Sequence, residues 1–177
     1  MYKAMFLKQI DISGFRGIQQ LSLQLDQTTV LIGENNMGKS TILEALQLAL
    51  DFTATRNKIK FTEYDHYLSK NTKQVTDGDM FKIILHFVVQ SDDKWPDDIV
   101  RSMSDVIQYD DSNRQSVTLC VQSRYDASTN ETKPEWSFLD INMQKIPTST
   151  PSSPSDCRCL KNPPLMAAGA IFHDIVY

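Results

Sequence analysis

In the stretch GENNMGKST, residues 33–41, Gly33, Gly38, Lys39 and Ser40 occupy the fixed positions of the pattern G-x-x-x-x-G-K-[ST]. These residue types at this spacing can hold a polyphosphate. The glycines let the backbone curl, so that N–H groups along Gly33, Glu34, Asn35, Asn36, Met37 and Gly38 can point inward as an anion nest. A helix starting near Lys39 adds its positive N-terminal end. Lys39 would bridge the β- and γ-phosphates as a point charge, the Ser40 hydroxyl would ligate Mg²⁺, and Thr41 could add a phosphate hydrogen bond. The competing reading is a glycine turn that caps an amphipathic helix and binds nothing.

Such a loop works only if a strand leads into it and a helix leaves it. TTVLI (28–32) is short, β-branched and apolar on consecutive positions, the pattern of a strand buried on both faces. STILEALQLAL follows the loop and favours helix, with Ile42, Leu43, Leu46, Ala49 and Leu50 on one face. Upstream, residues 5–13 read as a strand with Phe6, Ile10 and Ile12 inward; Gly14 and Gly17 bracket Phe15-Arg16 in a turn, and residues 18–25 form a second strand. Residues 53–79 are polar and aperiodic, a loop with short helical pieces. FKIILHFVVQ (81–90) reads as a strand, and Pro96 starts a helix running through 97–107. SVTLCVQSRY (116–125) and EWSFLDINM (135–143) read as a hairpin joined by DASTNETKP. The expected fold is α/β, with a mixed sheet and the phosphate-loop strand at its centre.

Of 177 residues, 18 are Lys or Arg and 22 are Asp or Glu, a formal charge of -4 that gives no whole-chain signal for nucleic acid. Charges at Lys3, Lys8 and Asp11 interrupt any signal-peptide core, and no apolar run approaches a membrane span. An odd cysteine count argues against a secreted disulfide framework, so the expected setting is cytoplasmic. Composition shifts at Ile146: five of the seven prolines fall within 147–164. That places a lobe over 1–146 and a Pro/Ser-rich linker and atypical tail over 147–177.

Other residues invite chemistry less strongly. Asp65-His66 could orient a proton acceptor, but adjacent residues rarely face each other productively, so they read as polar loop residues. Arg56, Lys58 and Lys60 could meet DNA phosphates or a partner, or be solvated surface. Cys157 and Cys159 have only His173 nearby, too few ligands for zinc. Cys120 and His86 lie within strands and read as structural.

The Gly14-Phe15-Arg16-Gly17-Ile18 turn, a strand, and then VLIGENNMGKSTILEAL resemble the opening of RecF-like and structural-maintenance-of-chromosomes ATPase heads of the ABC type. KFTEYDHY (60–67), FKIILHFVV, WPDDIVRSMSDVIQYDDSNRQSVTLCVQSRYD and EWSFLD are similar to the overcoming-lysogenization-defect (OLD) endonucleases within that class. The resemblance spans about residues 5–144. It implies ATP and Mg²⁺ at the loop, Arg16 near the phosphates, and two heads sandwiching ATP. It further implies DNA processing or phage defence by the full-length protein, with DNA as a partner and a C-terminal Toprim nuclease domain. The competing, less favoured reading of Arg16 is a solvated turn residue. No apolar strand ending in Asp-Glu, no Ser-Gly signature segment, no Toprim acidic motif and no Asn-Lys-x-Asp base-reading motif is present. The expectation is therefore the N-terminal lobe alone, truncated or frame-changed near residue 147, binding ATP without turning it over and dimerising only when the missing lobe is supplied. A genuine short adaptor remains open, as do a self-sufficient small P-loop kinase or NTPase and a non-catalytic interaction module.

Overall fold

The computed structural model describes residues 6–35, 37–50, 61–69, 74–76, 79–89, 94–110 and 112–147. Alternating apolar residues build the sheet. Strand β1 (Phe6–Phe15) turns through Arg16-Gly17 into β2 (Ile18–Gln24), and β1 also pairs with β3 (Met80–Val88). On β3 the side chains of Phe81, Ile83, Leu85 and Phe87 are fully buried at every second position, as one covered face requires. Strand β5 (Gln115–Asp126) lies on the other side of β3, and its far edge carries β6 (Glu131–Leu139) and the two-residue β4 (Gln108–Tyr109). The order is β2-β1-β3-β5-β4, with β6 also on β5.

Every one of these pairings is antiparallel. No parallel pairing occurs among the described residues, and residues 28–32, expected as a strand buried on both faces, form no strand. Val30 is 58% and Ile32 91% exposed, so the apolar run that reads as a buried strand lies in the open. A bulge between Leu7 and Gln9 shifts the register of β1, so Leu7 is buried where alternation pointed to Phe6. Ile10 and Ile12 are buried as expected.

Helix α1 (Lys39–Leu50) follows the loop at 33–38 and buries Ala45, Leu46 and Ala49 in the same core as the strands. Helix α2 (Asp97–Ser102) stops well short of residue 107, and Pro96 caps it from outside. Met103, Val106 and Ile107 are still buried, through turn bonds from the Val106 and Ile107 amides to the Met103 carbonyl. Their apolar spacing reports burial rather than continued helix. Strand β6 begins at Glu131, inside the segment expected to be turn; Pro134 is tolerated there because the ladder runs on one side only.

Residues 61–67 lie as a strap over the β1–β2 turn. Phe61 sets its ring 5.0 Å from Phe81, and Phe15 meets Phe81 at 5.2 Å, both edge to face. The strap is laced to the turn by backbone bonds from Arg16 N–H to the Asp65 carbonyl (2.9 Å) and from Tyr67 N–H to the Gly14 carbonyl (2.7 Å). A β-bridge joins Phe15 to His66. Gly14 (φ +67) is required here on two counts: its backbone is left-handed, and a Cβ would come within 2.6 Å of the Met80 carbonyl oxygen.

Candidate phosphate-binding site

The loop meets the helix at Gly38, whose φ of +83 lies in the left-handed region that glycine enters without cost. Lys39 and Ser40 are the first two residues of α1, and the Ile42 amide donates to the Gly38 carbonyl at 3.0 Å. The Lys39 ammonium folds back across the loop and donates to the carbonyls of Gly33 (2.6 Å) and Glu34 (2.8 Å). The Met37 amide reaches the Glu34 carbonyl at 3.4 Å, closing the tip. Lys39 therefore sits over the concavity of the loop. With three donors and two carbonyls engaged, it can pass to a phosphate by exchanging partners. Glu34, Asn35 and Ser40 are exposed, Thr41 is half-buried, and Asn36 lies outside the described residues.

For Mg²⁺ the local donor set is the Ser40 hydroxyl. Among the described residues no group of three or more His, Cys, Asp and Glu is placed to hold a metal alone. One hydroxyl suits an ion that keeps several waters and takes its remaining ligands from substrate phosphates.

The β1–β2 turn packs beside this loop: a Cβ on Gly38 would stand 3.9 Å from Ile18 Cγ1. Arg16, in that turn, is half-buried and paired with two carboxylates. Its Nε donates to Asp65 Oδ1 at 2.9 Å, its Nη1 pairs with Glu44 Oε2 on α1, and its guanidinium carbon lies 5.2 Å from the Phe15 ring centre. Arg16 also takes a φ of +47, unusual for a residue with a side chain.

Asp65 and His66 differ from the polar loop residues expected of them. Asp65 is buried; its Oδ2 accepts from the Thr62 amide (2.8 Å) and hydroxyl (3.2 Å) while Oδ1 holds Arg16. The signal was present in the sequence, since Thr62-x-x-Asp65 is the spacing by which an acidic residue caps the turn it closes. Glu44 was missed because nothing in one helix indicates which distant cation it will meet.

His66 is 3% exposed, its ring edge-on to Phe81 (5.2 Å) and near Tyr125 (6.1 Å), and neither ring nitrogen has a partner among the described residues. Burial holds its pKa below the ordinary value, against the opposing pull of Asp79 and Asp65. His86 is also lowered by burial and bonds Thr118 Oγ1 at 2.9 Å, a structural role. Burial raises the Cys120 thiol, which makes it inert. Arg56, Lys58, Lys60, Cys157, Cys159 and His173 lie outside the described residues, as does the tail from residue 148. No helix among the described residues is long and apolar enough to cross a membrane.

Residues 5–153 match the family model described as "Protein of unknown function (DUF2813)". A stretch of 46 residues is 59% identical to the Uncharacterized protein YbjD of Escherichia coli (strain K12), covering 26% of this chain and 8% of that protein. Two solved structures show partial likeness. One is the Smc head bound to the C-winged helix domain of ScpA (TM-score 0.46, 13% identity, 80% of this chain and 37% of that one). The other is the recombination mediator protein RecF with ATP, of the RecFOR pathway (TM-score 0.39, 16% identity, 88% and 34%). The chain thus spans a small part of YbjD and about a third of each solved chain.

Proposed function

The chain belongs to the DUF2813 family, and because that membership assigns no chemistry we propose, from the loop at residues 33–41, that it is the ATP-binding N-terminal lobe of a RecF-like ABC-type ATPase. The observation that carries the reading is Lys39 at the start of α1, its ammonium drawn over the loop by two of the loop's own carbonyls, behind a left-handed Gly38. A charged donor, a glycine-shaped turn and a helix N-terminus converge on one concavity, and each favours a polyphosphate.

Gly33, Glu34, Asn35, Asn36, Met37 and Gly38 would cradle the phosphates through backbone N–H groups, with Lys39 and Thr41 contributing side-chain donors. Ser40 would ligate Mg²⁺, which supplies charge neutralisation at the β- and γ-phosphates when bound. The resemblance of residues 5–144 to ABC-type heads supports DNA processing by the larger assembly, and in its OLD-like branch phage defence and DNA cleavage by a separate domain. Lobe boundaries at 1–146 and 147–177 belong to the same reading. Exposed Val30 and Ile32 support a further layer over the loop's approach, because an apolar run this open is stabilised by covering. The reading gives this chain binding and leaves turnover to the partner lobe.

Calorimetric titration of the chain with MgATP, and of its Lys39→Ala variant, tests this while hydrolysis is followed in parallel. Binding that Lys39→Ala abolishes, without turnover, is the expected result. Absence of binding in the unaltered chain removes the reading, and steady-state hydrolysis by the chain alone replaces it with a self-sufficient NTPase.

A further inference from the structure

Arg16 is held by two carboxylates that come from two separate segments. Asp65 belongs to the strap, and Glu44 belongs to the helix that the phosphate loop opens. Ser40 and Glu44 are four residues apart on α1, so they share one face about 6 Å apart along the axis. Helical side chains lean toward the N-terminus, which brings the Glu44 carboxylate, and Arg16 with it, nearer the Ser40 end. Ile18, two residues after Arg16, lies against Gly38. The guanidinium is therefore tied to the helix that carries Ser40, in a turn packed against Gly38, and is neutralised by Glu44 and Asp65.

The two carboxylates are not equivalent. Asp65 is nearly closed off, with a side chain 10% exposed, and is braced by Thr62; Glu44 is 46% exposed. Glu44 is the partner that can exchange. Arg16 also keeps a left-handed backbone that Gly or Asn would adopt with less strain, which points to a use for its side chain.

We propose that Glu44, one helical turn from Ser40, is a built-in competitor at the phosphate site: with Asp65 it holds Arg16, and a polyphosphate on the loop competes with Glu44 for the guanidinium. Asp65 keeps Arg16 tethered to the strap in both arrangements. Nucleotide binding would thus loosen the tie between α1 and the β1–β2 turn. The proposal rests on the nucleotide reading and adds to it a specific competitor.

The test is MgATP affinity for the full chain, Glu44→Gln, Arg16→Gly and the double variant. Glycine suits the φ of +47 at residue 16, so Arg16→Gly removes the cation without straining the turn, and melting curves confirm that each variant is folded. Glu44→Gln should tighten binding up to about fivefold, the range an exposed ion pair supports, and added salt should shrink the gain. The gain should vanish in the Arg16→Gly background. A gain that persists there would show mere removal of negative charge near the phosphates and would overturn the competition. Unchanged or weaker binding in Glu44→Gln, while the unaltered chain binds and Lys39→Ala does not, overturns the inference and spares the nucleotide reading. No binding by the unaltered chain removes both.

Discussion

The phosphate loop and the strap-bound turn are neighbours that obey opposite rules. Around the loop, Val30, Ile32 and Met37 are 58%, 91% and 71% exposed, and among the described residues Lys39 bonds the loop's own carbonyls. Around the turn, Phe15, Phe61, Phe81, Asp65 and His66 are all buried, and backbone bonds cross 49 and 53 residues of sequence (Arg16 to Asp65, Gly14 to Tyr67). Residues at the loop hold little of the fold, whereas residues around the turn are spent on one another. Stability and binding should therefore separate cleanly when the two regions are altered.

The largest stability loss should come from Phe81→Ala. Phe81 is fully buried and meets the rings of Phe15, Phe61 and His66, so truncation should cost about 3–5 kcal/mol in urea unfolding. A cost under about 1 kcal/mol would mean that the strap is not part of the core, and the contrast with the loop would fail.

Next comes a comparison inside the turn itself. Gly14→Ala drives a methyl into the Met80 carbonyl at a positive φ and should cost about 1–3 kcal/mol. A Cβ on Gly17 meets nothing within 4 Å, so Gly17→Ala should stay within about 0.5 kcal/mol by the same measurement. Equal losses at the two positions would show that the turn, rather than its seat on β3, is what glycine serves.

What could be read in the sequence follows the same division. The turn into α1 was legible because Gly38, Lys39 and Ser40 stand at a fixed spacing ahead of a helix-forming run, and β3 and β5 because one buried face imposes a period of two. The strap was not, because Asp65 and His66 acquire their partners only when distant segments meet. Residues 28–32 misled for the converse reason: an apolar β-branched run states that it should be covered, and the described residues bring nothing over it. Glu44 reads as an ordinary helix former, and only its meeting with Arg16 gives it a role.

A smaller effect tests the burial of His66. Its pKa is lowered by burial, so the folded chain keeps the ring neutral while the unfolded chain takes up a proton below about 6.5. Stability should fall as pH drops through 6.5 toward the folded-state value, by at most about 1.4 kcal/mol per pH unit, and level off below it. His66→Phe places a ring of similar shape against Phe81 and Tyr125 and removes the unpartnered nitrogens. It should flatten this part of the profile, leaving the contribution of His86, also lowered by burial. An unchanged slope would assign the whole acid response to His86 or to carboxylates.

The smallest stability effects belong to the loop, where the contrast is most exposed to failure. Ile32→Ser at a position 91% exposed should change unfolding free energy by less than about 0.5 kcal/mol, whereas an isoleucine in a buried strand would cost several times more. Lys39→Ala should be equally mild in melting, since it releases two bonds to carbonyls that water can take over. The same variant should lose MgATP binding altogether. A residue can be nearly dispensable for folding and indispensable for a ligand only if its partners in the folded chain are replaceable, as the carbonyls of Gly33 and Glu34 are. If Ile32→Ser instead unfolds the chain, the approach to the loop is already covered in solution, and the further layer proposed over it comes from this chain itself.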